Sequence, residues 1–143
     1  MALNWCFNEP WPTAVNNSLV GYPSKTKPAF EAVSDACRPV LASASFSKFS
    51  WKPGEELAID CWILNDSPVR VDQGKVTVYA EMGGERKKLH TWSFPRLKAN
   101  TNHHGPVVHY QLPENMKKQV FRIVLEVSGE RDLNSAYQLL YTP

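Results

Sequence analysis

The sequence is poor in cysteine and in net charge, and it has no long hydrophobic run. Its three cysteines, Cys6, Cys37 and Cys61, lie far apart with no C-x-x-C spacing. An odd count cannot close a full disulfide set, and the spacing argues against a zinc or redox centre. Sixteen basic against fourteen acidic side chains leave a formal charge of +2, too little for an affinity to nucleic acid built on many phosphate contacts. No apolar stretch approaches the roughly 20 residues of a membrane helix, so no membrane partner is expected. The N-terminus has neither the basic start nor the apolar stretch of a signal peptide, and as written it carries no export address. P-loop, dinucleotide-fingerprint and Ser-His-Asp patterns are all missing, so no cofactor and no metal are expected.

What is present suits a folded chain. The 143 residues, 43% hydrophobic and 21% charged, correspond to one domain, or one domain and a segment too short to fold alone. Residues 3 to 11 form a short apolar and aromatic run closed by Pro10 and Pro12, which predicts one buried strand entering a loop, with no strand partner nearby. Over residues 27 to 38, Phe30, Val33 and Cys37 recur at steps of three and four, the spacing of one helical face. Thr26 is the expected N-cap, Pro28 falls in the first turn, and Pro39 ends the helix.

From Val40 onward the period becomes two. Leu57, Ile59, Cys61 and Ile63 alternate with Ala58, Asp60, Trp62 and Leu64, and the same pattern recurs at residues 76 to 82 and 121 to 127. Each run reads as a half-buried strand, with Asp60 and Trp62 turned outward. Further strands are expected near residues 40 to 49, 87 to 94, 107 to 112 and 136 to 141. Turn signals at Lys52-Pro53-Gly54, Asn65-Asp66-Ser67-Pro68, Gly83-Gly84 and Ser128-Gly129-Glu130 separate them, and many short strands so spaced indicate an immunoglobulin-like β-sandwich. Cys61 has no cysteine facing it on the run around residue 123, so the antibody-type disulfide is absent.

The order of these parts, W-x-F-N-E-P-W-P, a helix bounded by prolines, a W-K-P-G-E turn and then I-D-C-W-I-L-N-D-S-P, resembles the C-terminal part of family 2 glycoside hydrolases. The resemblance implies that residues 1 to 39 are the last strand and helix of a (β/α)8 barrel and that residues 40 to 143 are the immunoglobulin-like domain that follows it. The parent would hydrolyse terminal β-linked sugars with retention of configuration, using two glutamates at the ends of barrel strands four and seven. Both would lie upstream of Met1. The chain alone is then expected to be inactive, a non-catalytic accessory domain whose partners are the catalytic barrel and, in the parent, the carbohydrate substrate. The alternative is a free-standing immunoglobulin-like carbohydrate-binding or adhesion module. Localisation is left open, and a periplasmic or secreted parent is compatible with the resemblance.

By the same resemblance, Trp5, Asn8 and Trp11 would line the sugar pocket of the intact parent, with the Trp5 indole stacking on a pyranose at the barrel mouth. Glu9 stands in an N-E-P triplet that carries the acid/base in related barrel hydrolases. With only one strand and one helix following it, a loop carboxylate is the expected role, and no catalytic residue is assigned. His103 and His104 are read as part of a solvated loop; neighbours on a strand would point to opposite faces and could not share a metal. Glu85-Arg86-Lys87-Lys88 reads as a charged hairpin end that protects a sheet edge.

Overall fold

The computed structural model describes residues 6 to 13 and 17 to 143. The chain is mainly β and divides into two compact units, Met1–Arg38 and Pro39–Pro143.

In the first unit, Val20–Gly21 (β1) pairs antiparallel with Lys25–Thr26 (β2), and Pro28–Ala36 forms the helix α1. The aromatic run does find a partner, contrary to the sequence expectation. The Phe7 carbonyl accepts from the Leu19 and Val20 amides, and the Glu9 amide donates to the Val20 carbonyl, making a short parallel bridge at Asn8 and Val20. Periodicity could not reveal this partner, because residues 17 to 20 are too few to show a period. Nor are the described residues of the run buried: Phe7 and Trp11 are 62% and 64% exposed, and among the described residues of this unit the buried positions are Ser18 and Leu19. Thr26 is not the N-cap. It is taken by β2, and Lys27 occupies the cap position without a side-chain bond to the helix end, while Pro28 opens the helix as expected. None of the nine helical residues is buried, although Phe30 meets Phe7 edge to face at 6.3 Å.

The second unit is the β-sandwich. In chain order its strands are Val40–Ser45 (β3), Ser50–Trp51 (β4), Glu56–Asn65 (β5), Gly74–Met82 (β6), Glu85–Phe94 (β7), His103–Gln111 (β8), Gln119–Val127 (β9) and Ser135–Tyr141 (β10). One sheet runs β3-β5-β8 and the other β4-β10-β9-β6-β7. Alternation decides which side chains fill the gap between them. Leu57, Ile59, Cys61 and Ile63 of β5 are fully buried, as are Val76 and Val78 of β6 and Ile123 and Leu125 of β9, while Asp60 and Trp62 point outward as expected. Each large side chain so buried contributes about 1.5 to 3 kcal/mol. Cys61 sits in this core as a free thiol, pushed up to about 12 by burial and then by the nearby Asp60 charge, so it is chemically inert.

Two local devices fix the sandwich. Asn65 is fully buried and satisfied: Nδ2 donates to the Val69 and Lys98 carbonyls, Oδ1 accepts from the Ser67 amide and hydroxyl, and its amide donates to Asn102 Oδ1. One side chain thus ties the β5–β6 loop to the β7–β8 loop. The second device is a bulge on β8, where Trp62 faces His104 and Asp60 faces Val107, so that Gly105 and Pro106 together oppose Cys61. A bulge accommodates a proline that cannot donate to the ladder. A Cβ on Gly105 would lie 2.6 Å from the Trp92 ring, which explains the glycine beside it.

Candidate functional site

Trp5 lies outside the described residues. Asn8 and Trp11, its companions in the motif, are both exposed, and Asn8 takes part in the bridge to Val20 through its backbone. The side chain that the motif segment builds around is Glu9, which is only 9% exposed. Its Oε1 accepts from Lys27 Nζ at 2.7 Å and from the Ser18 hydroxyl at 2.9 Å, and its Oε2 accepts from the Tyr22 amide at 3.2 Å. Lys27 Nζ also donates to the Ser18 hydroxyl at 2.9 Å. These partners, Lys27 foremost, then Ser18 and the Tyr22 amide, lower the Glu9 carboxyl to about 2.

The chemical consequence follows from the donors. A general acid must hold a proton near neutral pH and release it in the transition state. Glu9 is ionised through that whole range, and its oxygens are occupied by donors from its own unit. Ser18 and Lys27 at hydrogen-bond distance resemble a nucleophile and its base, but Ser18 is only 3% exposed and its hydroxyl also bonds Glu9. The triplet is a brace that joins the motif segment, the start of α1 and the loop before β1.

A second cluster escaped the sequence reading. On the outer face of the three-stranded sheet, Trp62 and His104 stack at 4.3 Å between ring centroids with 25° between planes. Asp60 holds both: Oδ1 lies 2.6 Å from His104 Nε2, and Oδ2 accepts from Trp62 Nε1 at 3.1 Å. These bonds, His104 first, keep the Asp60 carboxyl below its ordinary value. The expected solvated loop is therefore corrected. His103 and His104 belong to β8 and point to opposite faces, His103 stacking on Trp92 and His104 on Trp62. The missed signal was the i, i+2 spacing of Asp60 and Trp62 on one strand face.

The charged hairpin end is where the sequence put it. Gly83 and Gly84 turn with φ of 62° and 84°, the conformation that a two-residue hairpin demands. Arg86, however, is not merely solvated: it bonds Glu126 at 2.6 Å, approaches Glu81 at 3.4 Å and lies 3.9 Å over the Tyr79 ring. Among the described residues, no helix is long and apolar enough to cross a membrane.

No family model matches the chain, and no curated protein matches it either. Solved structures do. The sporulation control protein Spo0M of Bacillus subtilis aligns with a TM-score of 0.47 at 14% identity, over 74% of this chain and 50% of its own. The β-glucosidase of Listeria innocua, in complex with glucose, aligns with a TM-score of 0.49 at 12% identity, over 73% of this chain and 16% of its own. The alkylpurine DNA glycosylase AlkC of Pseudomonas fluorescens, bound to DNA containing an abasic site analogue, aligns with a TM-score of 0.46 at 14% identity, over 73% and 31%. The chain thus spans half or less of each of these proteins, and at such identities the likenesses assign no activity.

Proposed function

We propose that this chain is a non-catalytic accessory module of a glycoside hydrolase of the family 2 type, with residues 1 to 39 as the last strand and helix of the catalytic barrel and residues 40 to 143 as the immunoglobulin-like sandwich that follows it. The observation that carries the reading is the unburied apolar surface of the motif segment and helix. Phe7, Trp11, Tyr22 and Val33 are all exposed, and α1 buries none of its residues. A nine-residue helix is marginal in water without a packed face, and exposed apolar side chains on both the helix and the motif segment suit a contact with another structure. The resemblance supplies the partner, a barrel whose last strand and helix these residues would complete. In that setting Trp5, Asn8 and Trp11 would face the sugar pocket, and the brace around Glu9 would hold the strand end rather than perform chemistry.

A second reading is favoured by one feature. The main core cluster is drawn from residues 42 to 141, within the sandwich unit, so the sandwich has the means to fold and act as a free-standing carbohydrate-binding or adhesion module.

The non-catalytic assignment is tested by assaying the chain against nitrophenyl β-galactoside, β-mannoside, β-glucoside and β-glucuronide. Hydrolysis at the buffer rate is expected. Turnover that disappears in Glu9→Gln would overturn the assignment and make Glu9 a catalytic residue.

A further inference from the structure

The outer face of the five-stranded sheet carries a groove of about 310 Å³ where β6 and β9 meet the turn into β10. That volume lies at the small end of ligand sites, about 300 to 1,000 Å³. Its polar lining comprises Thr77, Tyr79, Glu126, Ser128, Arg131 and Asn134. The register explains the convergence. Thr77 stands opposite Glu126, and Tyr79 lies two residues further along the same face of β6. The chain then reverses at Gly129, whose φ is 81°, and a short 3-10 turn over Arg131–Leu133 brings Arg131 to the rim. Asn134 Oδ1 accepts from the Val127 amide at 2.8 Å and holds that turn closed.

Some of these groups are already engaged. Glu126 Oε1 bonds Arg86, the Thr77 and Thr91 hydroxyls share a bond at 3.1 Å, and Arg86 covers one side of the Tyr79 ring. Others are not. Among the described residues the Arg131 guanidinium, the Ser128 hydroxyl and the second oxygen of Glu126 have no partner.

The unused chemistry selects a ligand. A guanidinium fork matches a carboxylate through two parallel bonds. A free carboxylate oxygen and a serine hydroxyl suit the hydroxyls of a polyol, and a tyrosine ring offers apolar surface for C–H groups. A neutral sugar would leave Arg131 unused, and a bare anion would leave Glu126 and Ser128 unused. We infer that this groove binds an acidic saccharide of one or two sugar units, with its carboxylate on Arg131 and its hydroxyls on Glu126 and Ser128. The site belongs to the sandwich alone, so it stands whether the chain is a module of a hydrolase or a free-standing domain, and it assigns the sandwich a ligand that packing against a barrel does not.

The test is a titration of amide NMR spectra with sodium glucuronate, and in parallel with glucose and with sodium acetate. Expected are shifts confined to the amides of residues 77 to 79 and 126 to 134, with a dissociation constant on the order of 1 mM. Arg131→Ala should weaken binding about tenfold or more, and Arg131→Lys should restore part of it. Arg131 is exposed, so unchanged spectra elsewhere will verify folding; Ser128→Ala serves as an independent variant and should also weaken binding. No response to glucuronate, an equal response to glucose or to acetate, or binding unchanged in Arg131→Ala would each overturn the inference.

Discussion

Asn65 is the polar residue on which the sandwich most depends. It is fully buried, and its side chain satisfies two carbonyls and two donors at once. Asn65→Ala strands these groups, those of Ser67 in a buried site, at about 1 to 3 kcal/mol for each one left unsatisfied. We predict a loss of about 3 kcal/mol in urea unfolding, read as a lower midpoint at unchanged slope. Glu9 gives a pH prediction at the same scale. Its carboxyl falls from the ordinary 4.5 to about 2 in the folded chain, so its contribution to stability is complete above about pH 4.5 and is lost as pH falls toward 2. The carboxyl carbon of Glu9 should therefore titrate near pH 2 in NMR. A midpoint at the ordinary carboxylate value would show that Lys27 and Ser18 do not hold it.

Among the elements, the strands with strict alternation were legible from sequence and the irregular ones were not. β5, β6 and β9 bury one face and leave the other partly exposed, Val124 of β9 apart, so period two revealed both their existence and their parity, and burying Asp60 in an apolar core would cost enough to fix the register. β8 begins earlier than the alternation suggested because its first residues are His103, His104, Gly105 and Pro106, a polar and turn-like string that the bulge absorbs. β1, β2 and β4 have two residues each and carry no periodic signal. The Asp60, Trp62 and His104 stack escaped for a related reason: it joins two strands whose pairing the sequence does not display. The bulge itself is testable. Gly105→Ala sets a methyl 2.6 Å from Trp92, so the ring, which Phe94 and His103 flank, or the backbone must shift. A loss of about 1 to 3 kcal/mol in thermal or urea unfolding is expected, as for other overpacked sites; an unchanged midpoint would mean that Trp92 reorients freely.

For the molecule as a whole, the sandwich is held by burial between its sheets, with no disulfide to assist, whereas the first unit leaves aromatic and helical surface uncovered. The fold class and the change of character near Val40 could be read from periodicity. The pairing within the first unit could not, because an isolated bridge between Asn8 and Val20 leaves no period in the sequence. The central claim is that these 143 residues act as the accessory end of a hydrolase, and the most direct test is the mass of the native polypeptide that contains them, taken from its source cells by antibody capture and intact mass spectrometry. The account predicts one continuous chain longer by at least a (β/α)8 barrel, about 250 residues, with a glutamate at the end of its fourth and of its seventh barrel strand. A native polypeptide of 143 residues would contradict it and leave the free-standing module in its place.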